Sequence, residues 1–63
     1  MYIKLKEKRK EYNLTIYDMS KLLNITPAYY YLIETGKRKL YYDMSIKIAS
    51  IFNMKPDNIF YTK

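Results

Sequence analysis

Three kinds of side chain in this sequence could do chemistry, and all three point to binding rather than bond-making. Lys37, Arg38 and Lys39 form a run of cations directly after Gly36, the only glycine. Thr15 and Thr26 each stand just before a short apolar-periodic stretch, where a hydroxyl can accept from free backbone N–H groups. Tyr29, Tyr30 and Tyr31 put three phenols in a row. Cations, helix-start amides and phenol hydroxyls are all ligands for anions, phosphate among them.

Catalysis finds little support. There is no histidine and no cysteine, so disulfides are excluded and a zinc site has only carboxylates to draw on. The six acidic residues are scattered, and no pair suggests two carboxyls in one pocket. No glycine-rich phosphate loop is present. We expect no enzyme, no metal and no cofactor.

Charge narrows the partner. The formal net charge is +6 with a pI near 9.6, which suits nucleic acid, an acidic protein or an anionic lipid surface. Solubility alone would explain a charge of that size. Clustering argues against it: Lys4, Lys6, Lys8, Arg9 and Lys10 form one group and Lys37–Lys39 another. Membrane association by the basic first helix is disfavoured, because its apolar face is needed for the core. The apolar runs are too short to span a bilayer. Without a signal peptide or disulfide framework, the expectation is a cytoplasmic protein.

The elements that must position these residues follow from local signals. A chain of 63 residues fits one small domain, 1–63. Residues 1–12 read as a first helix, with Tyr2, Leu5, Arg9 and Tyr12 on one face. Asn13 is a left-handed stop. Thr15 caps a second helix and Asp18 returns the bond, a capping box. Ile16, Met19, Leu22 and Leu23 give that helix an apolar face, and Asn24 ends it. Thr26-Pro27 opens a third helix, with proline where its missing N–H costs nothing. It runs from Ala28 to about Thr35, and Gly36 stops it with positive φ.

A basic loop, 37–41, leads to a fourth helix at about 42–52, with Tyr42, Ile46, Ala49 and Phe52 on one apolar stripe and Ile48 and Ile51 beside it. Tyr41 cannot cap it. Asn53 is a third asparagine stop, Pro56 opens a short fifth helix, and 61–63 should fray. The fold class expected is all-α, five short helices around one core, with 15–36 as a helix-turn-helix. A pair of helices so joined is a common way to place one of them in the DNA major groove.

The ordered set Leu5, Arg9, Leu14-Thr15, Asp18-Met19, Leu23, Ile25-Thr26, Ile33-Glu34, Gly36-Lys37-Arg38, Lys47-Ile48-Ala49, Phe52 and Ile59-Phe60 resembles the lambda-repressor-like family of helix-turn-helix domains. The resemblance covers nearly the whole chain without a gap. It implies a DNA-binding transcriptional regulator of the small phage, plasmid or bacterial repressor kind. It also implies an ion pair between Arg9 and Glu34 that ties the first helix to the third. The alternative for those two is solvated surface charge of little consequence.

By the same resemblance the DNA face comprises Thr15, Ile16 and Tyr17 at the start of the second helix. It continues through Thr26, Pro27, Ala28, Tyr29, Tyr31, Leu32 and Thr35 on the third, and Lys37, Arg38 and Lys39 beyond it. Here the chain departs from the family pattern. Ile16, Pro27, Ala28 and Leu32 stand where glutamine, arginine, serine or asparagine is commoner, and none of them can hydrogen-bond a base edge. Readout would rest on thymine methyls, tyrosine hydroxyls and shape, favouring AT-rich sites. Tyr30 is placed like a core aliphatic, and Tyr29 and Tyr31 should lie outside.

Homodimers would use Tyr41, Ile51, Met54 and Tyr61. The competing function is a protein-interaction module on the same fold, an antirepressor or regulator's partner docking through exposed tyrosines.

Overall fold

Four residues stop helices here, and they do it the same way. Asn13, Asn24 and Asn53 have φ of 58°, 59° and 56°, and Gly36 has φ of 79°. The next residue then donates its N–H to a carbonyl five positions back: Leu14 to Arg9 and Met54 to Ala49 at 3.0 Å, Ile25 to Ser20 at 2.9 Å, Lys37 to Leu32 at 3.0 Å. This is the closing bond of a Schellman turn. In the three asparagine stops the donor is Leu14, Ile25 or Met54, each packed against the core. In the glycine stop it is Lys37, which is exposed. The chain therefore turns inward three times and outward once, just after the third helix.

In a computed structural model describing residues 1–61, the helices are α1 (Ile3–Glu11), α2 (Ile16–Leu23), α3 (Pro27–Glu34), α4 (Tyr42–Ile51) and α5 (Pro56–Phe60). No strand occurs among the described residues. The expectation of fraying at 61–63 falls, for its last two residues, outside them. The core is Leu5, Met19, Leu23, Tyr30, Ile33, Ile48, Ala49, Phe52 and Ile59. α2 packs mainly on α3, and α5 on α4 and α1. The Tyr2 and Phe60 rings meet edge to face at 5.0 Å across α1 and α5.

The start of the chain lies over the end of α3. Tyr2 donates its N–H to the Glu34 carbonyl at 3.0 Å, so α1 begins at Ile3 rather than at the first residue. The Met1 nitrogen comes so close to Gly36 that an added Cβ would meet it at 2.9 Å. Gly36 is thus required twice, for its φ and for this approach.

Two expected faces are corrected. On α4, Tyr42 is 59% and Ile46 43% exposed, while Ser45, Ile48 and Ala49 face the core. On α2, Leu22 is 59% exposed and Ser20 is buried. The physical reason is shared. Ser20 donates to the Tyr17 carbonyl at 2.7 Å and Ser45 to the Tyr42 carbonyl at 2.6 Å. A serine whose hydroxyl is satisfied inside its own helix can be buried at little cost, and it makes room where a neighbouring helix comes close.

Candidate nucleic-acid interface

Both helices of the pair begin on threonine. The Asp18 N–H donates to Thr15 Oγ1 at 3.0 Å, and the Thr15 N–H donates to Asp18 Oδ2 at 2.9 Å. This capping box holds the Asp18 carboxyl below its usual range, chiefly through the Thr15 backbone N–H and then through its hydroxyl. On α3 the Tyr29 N–H donates to Thr26 Oγ1 at 3.1 Å, with Pro27 in the first turn. Capping one amide leaves other first-turn N–H groups open, those of Ile16 and Tyr17 on α2.

α3 is held from behind by a buried ionic junction. Arg9 Nε donates to Glu34 Oε1 at 2.8 Å and Nη2 to Oε2 at 3.2 Å. Arg9 Nη1 donates to the Leu14 carbonyl at 2.9 Å. Tyr30, fully buried, donates its hydroxyl to Glu34 Oε1 at 3.0 Å. The bidentate pairing raises the Arg9 pKa, with the Glu34 hydrogen bond the main cause. Burial, and after it the Glu34 charge, pushes the Tyr30 phenol up. The helix pair is thereby tied to α1, and among the described residues no buried side-chain nitrogen or oxygen is left without a partner. Tyr30 reads as a core residue from its position, and its bond to Glu34 is a further role. The signal was its i,i+4 spacing to Glu34.

The front of α3 presents Thr26, Pro27, Ala28 and Tyr31 to solvent, with Leu32 and Thr35 half-buried. Thr35 has less polar reach than its type suggests, because its hydroxyl donates to the Tyr31 carbonyl at 2.9 Å. Tyr29 is only half outside: it packs against the core, and the Arg38 guanidinium lies over its ring, 4.6 Å from the centroid. Lys37, Arg38 and Lys39 are exposed. The N–H groups of Lys37 and Arg38 both reach the Leu32 carbonyl, at 3.0 and 3.1 Å, which fixes where the basic loop leaves α3. Lys39 Nζ lies over Tyr41 and Lys21 Nζ over Tyr17, each 5.3 Å from the ring centre. Ile16 is half-buried against the core. Elsewhere, Tyr41 and Tyr61 are exposed, whereas Ile51 and Met54 are half-buried and packed on the core.

The arrangement is a braced helix pair with an exposed second helix and cations at its exit. A family model described as Helix-turn-helix matches residues 5–59. The chain belongs to the helix-turn-helix family. It is of the lambda-repressor-like kind, a DNA-binding regulatory family and not an enzymatic one. Comparison with curated proteins and with solved structures gave no significant match. The helix-turn-helix comprises α2, the Asn24 turn and α3. Among the described residues no group of three or more acidic side chains could hold a metal ion, and no helix is long and apolar enough to cross a membrane.

Proposed function

We propose that this helix-turn-helix protein is a sequence-specific transcriptional regulator, repressor-like, that places α3 in the major groove. The observation that supports this best is the asymmetry of α3. Its back is clamped by Arg9 and Glu34, and its front (Thr26, Pro27, Ala28, Tyr31) is open beside three exposed cations. The open amides of Ile16 and Tyr17, with Thr15 beside them, grip one phosphate at the α2 start. Lys37, Arg38 and Lys39 take backbone phosphates beyond α3. Tyr31 and Thr26 supply the polar contacts to bases, and Pro27, Ala28, Leu32 and the edge of Ile16 meet thymine methyls, so AT-rich operators are favoured. The whole chain, 1–63, acts as one domain in the cytoplasm, at the nucleoid. Two copies, paired through Tyr41 and Tyr61 and the exposed edges of Ile51 and Met54, read half-sites ~34 Å apart.

A gel-shift series over salt, on an AT-rich palindrome and a GC-rich control, tests the reading. Tighter binding to the first, with affinity falling steeply as salt rises, is expected. No shift of any duplex at low salt would sink it. One observation favours a second reading. Tyr17, Leu22 and Tyr31 are exposed apolar surface on or near the helix pair, which suits a protein partner. In that case Lys37→Ala leaves partner capture intact while Tyr31→Ala abolishes it.

A further inference from the structure

Arg9 and Arg38 are the only arginines. Arg9 has its guanidinium committed to Glu34 and to the Leu14 carbonyl. Arg38 is therefore the one planar fork able to take two oxygens of a phosphate at once; a lysine presents only a point charge. Its position is not left to chance. The backbone is pinned by the bond from its N–H to the Leu32 carbonyl at 3.1 Å. Its guanidinium carbon lies 4.6 Å from the Tyr29 ring centroid, within the range of a cation–π contact. Tyr29 is in turn immobilised, half-buried against the core with its own N–H bonded to the Thr26 cap. Held over the ring by its charge rather than by a hydrogen bond, the guanidinium keeps its N–H groups free.

We infer that Tyr29 is a positioning residue: its ring is the platform that holds Arg38 ready to clamp a DNA backbone phosphate at the exit of α3. This rests on the DNA-binding reading above and deepens it. Tyr29 then contributes through Arg38 rather than by touching a base. The gain is preorganisation, since a long side chain otherwise loses rotamer freedom on binding. Arg38 lies beyond α3 and not on its front, so the contact is to backbone and independent of sequence.

The test uses the full chain and labelled duplexes of random and of all-AT sequence, titrated across salt. Arg38→Ala weakens binding to both duplexes equally and lowers the log–log salt slope by about one. Tyr29→Leu weakens binding about three- to tenfold with the slope unchanged, because the charge remains. Tyr29→Phe restores the lost affinity. Adding Tyr29→Leu to Arg38→Ala costs nothing further. In the free protein, the Arg38 side-chain protons carry an upfield ring-current shift that survives Tyr29→Phe and vanishes in Tyr29→Leu. Thermal melts establish that each variant is folded.

Several results overturn the role while leaving the DNA-binding reading intact: a folded Tyr29→Leu that binds as well as wild type, additive losses in the double variant, or Tyr29→Phe failing to rescue, which would make the hydroxyl the contact. An Arg38 effect confined to guanine-containing duplexes overturns the phosphate assignment. A wild type that binds no duplex overturns the underlying reading and this role with it.

Discussion

Arg9 and Arg38 each meet one of two adjacent tyrosines of α3. Behind the helix, Arg9 is buried, is bonded twice to Glu34, and shares that carboxylate with the Tyr30 hydroxyl. Beyond the end of the helix, Arg38 is exposed and lies over the Tyr29 ring. Successive helical residues point about 100° apart, so one helix can serve both sides. The difference lies in what is left unbonded. At the rear, donors and acceptors are matched, which suits a strut. At the exit, the guanidinium N–H groups are free, which suits a ligand contact. An arginine and a tyrosine joined through a shared carboxylate make a brace when dry, and an arginine over a tyrosine ring makes a grip when wet.

The largest effect should come from breaking the rear junction. Glu34→Ala strands Arg9 and the Tyr30 hydroxyl in the interior and should cost ~3–5 kcal/mol. In a chain this small that is most of the stability; circular dichroism at 25 °C should show a largely unfolded protein, and a native-like melt would show that the pair is dispensable.

Tyr30→Phe is gentler, removing one hydrogen bond to a charged acceptor at about 1.5 kcal/mol. It also carries a pH signature. The folded phenol is raised above its unfolded value, so its contribution is complete below pH ~10 and is lost as pH climbs toward the folded pKa. The gap between wild-type and Tyr30→Phe melting temperatures should narrow above pH ~10. A constant gap would show that this phenol ionises without hindrance in the folded state.

Next is the glycine stop between the two sites. Gly36→Ala forces a Cβ onto the Met1 nitrogen at φ of 79° and should cost about 1 kcal/mol or more. An unchanged denaturation midpoint would mean that the first residues swing aside freely.

The capping box answers acid rather than alkali. The folded Asp18 pKa is lowered, so its stabilisation is full above the unfolded value of ~3.9 and fades as pH falls through the folded one. Wild type and Asp18→Asn should therefore converge in melting temperature only at the acid end of a pH series. Equal melts at neutral pH would show that the box adds nothing.

Smallest for stability is the exit of α3. Arg38→Ala should move the melt by no more than about 0.5–1 kcal/mol, while its cost appears in DNA affinity. A large destabilisation would erase the distinction between strut and grip.

Much of this was legible in the residues. The two threonine caps, the Asp18 return bond, the three asparagine stops and the positive φ of Gly36 were all read correctly because each is decided within about five residues along the chain. The expected places of Tyr42, Ile46 and Leu22 were not correct, because hydrophobicity marks a candidate face without saying what will dock on it. Ser20 and Ser45 were invisible as core, since their type is polar and only a bond to their own helix makes burial cheap. Among the candidate interface residues, Thr35 looked like a free hydroxyl, and the structure spends that hydroxyl on a neighbouring carbonyl.

What the sequence determined by itself is the threonine caps of α2 and α3, the asparagine and glycine stops, the all-helical class, and the cluster of cations after α3. Short-range hydrogen bonds and backbone sterics carry that information. Only the tertiary structure decided which face of α4 is buried, that Tyr30 joins Arg9 and Glu34, and that Tyr29 receives Arg38. Those outcomes depend on which helix lies against which, and packing is selected by the joint fit of residues far apart in the chain.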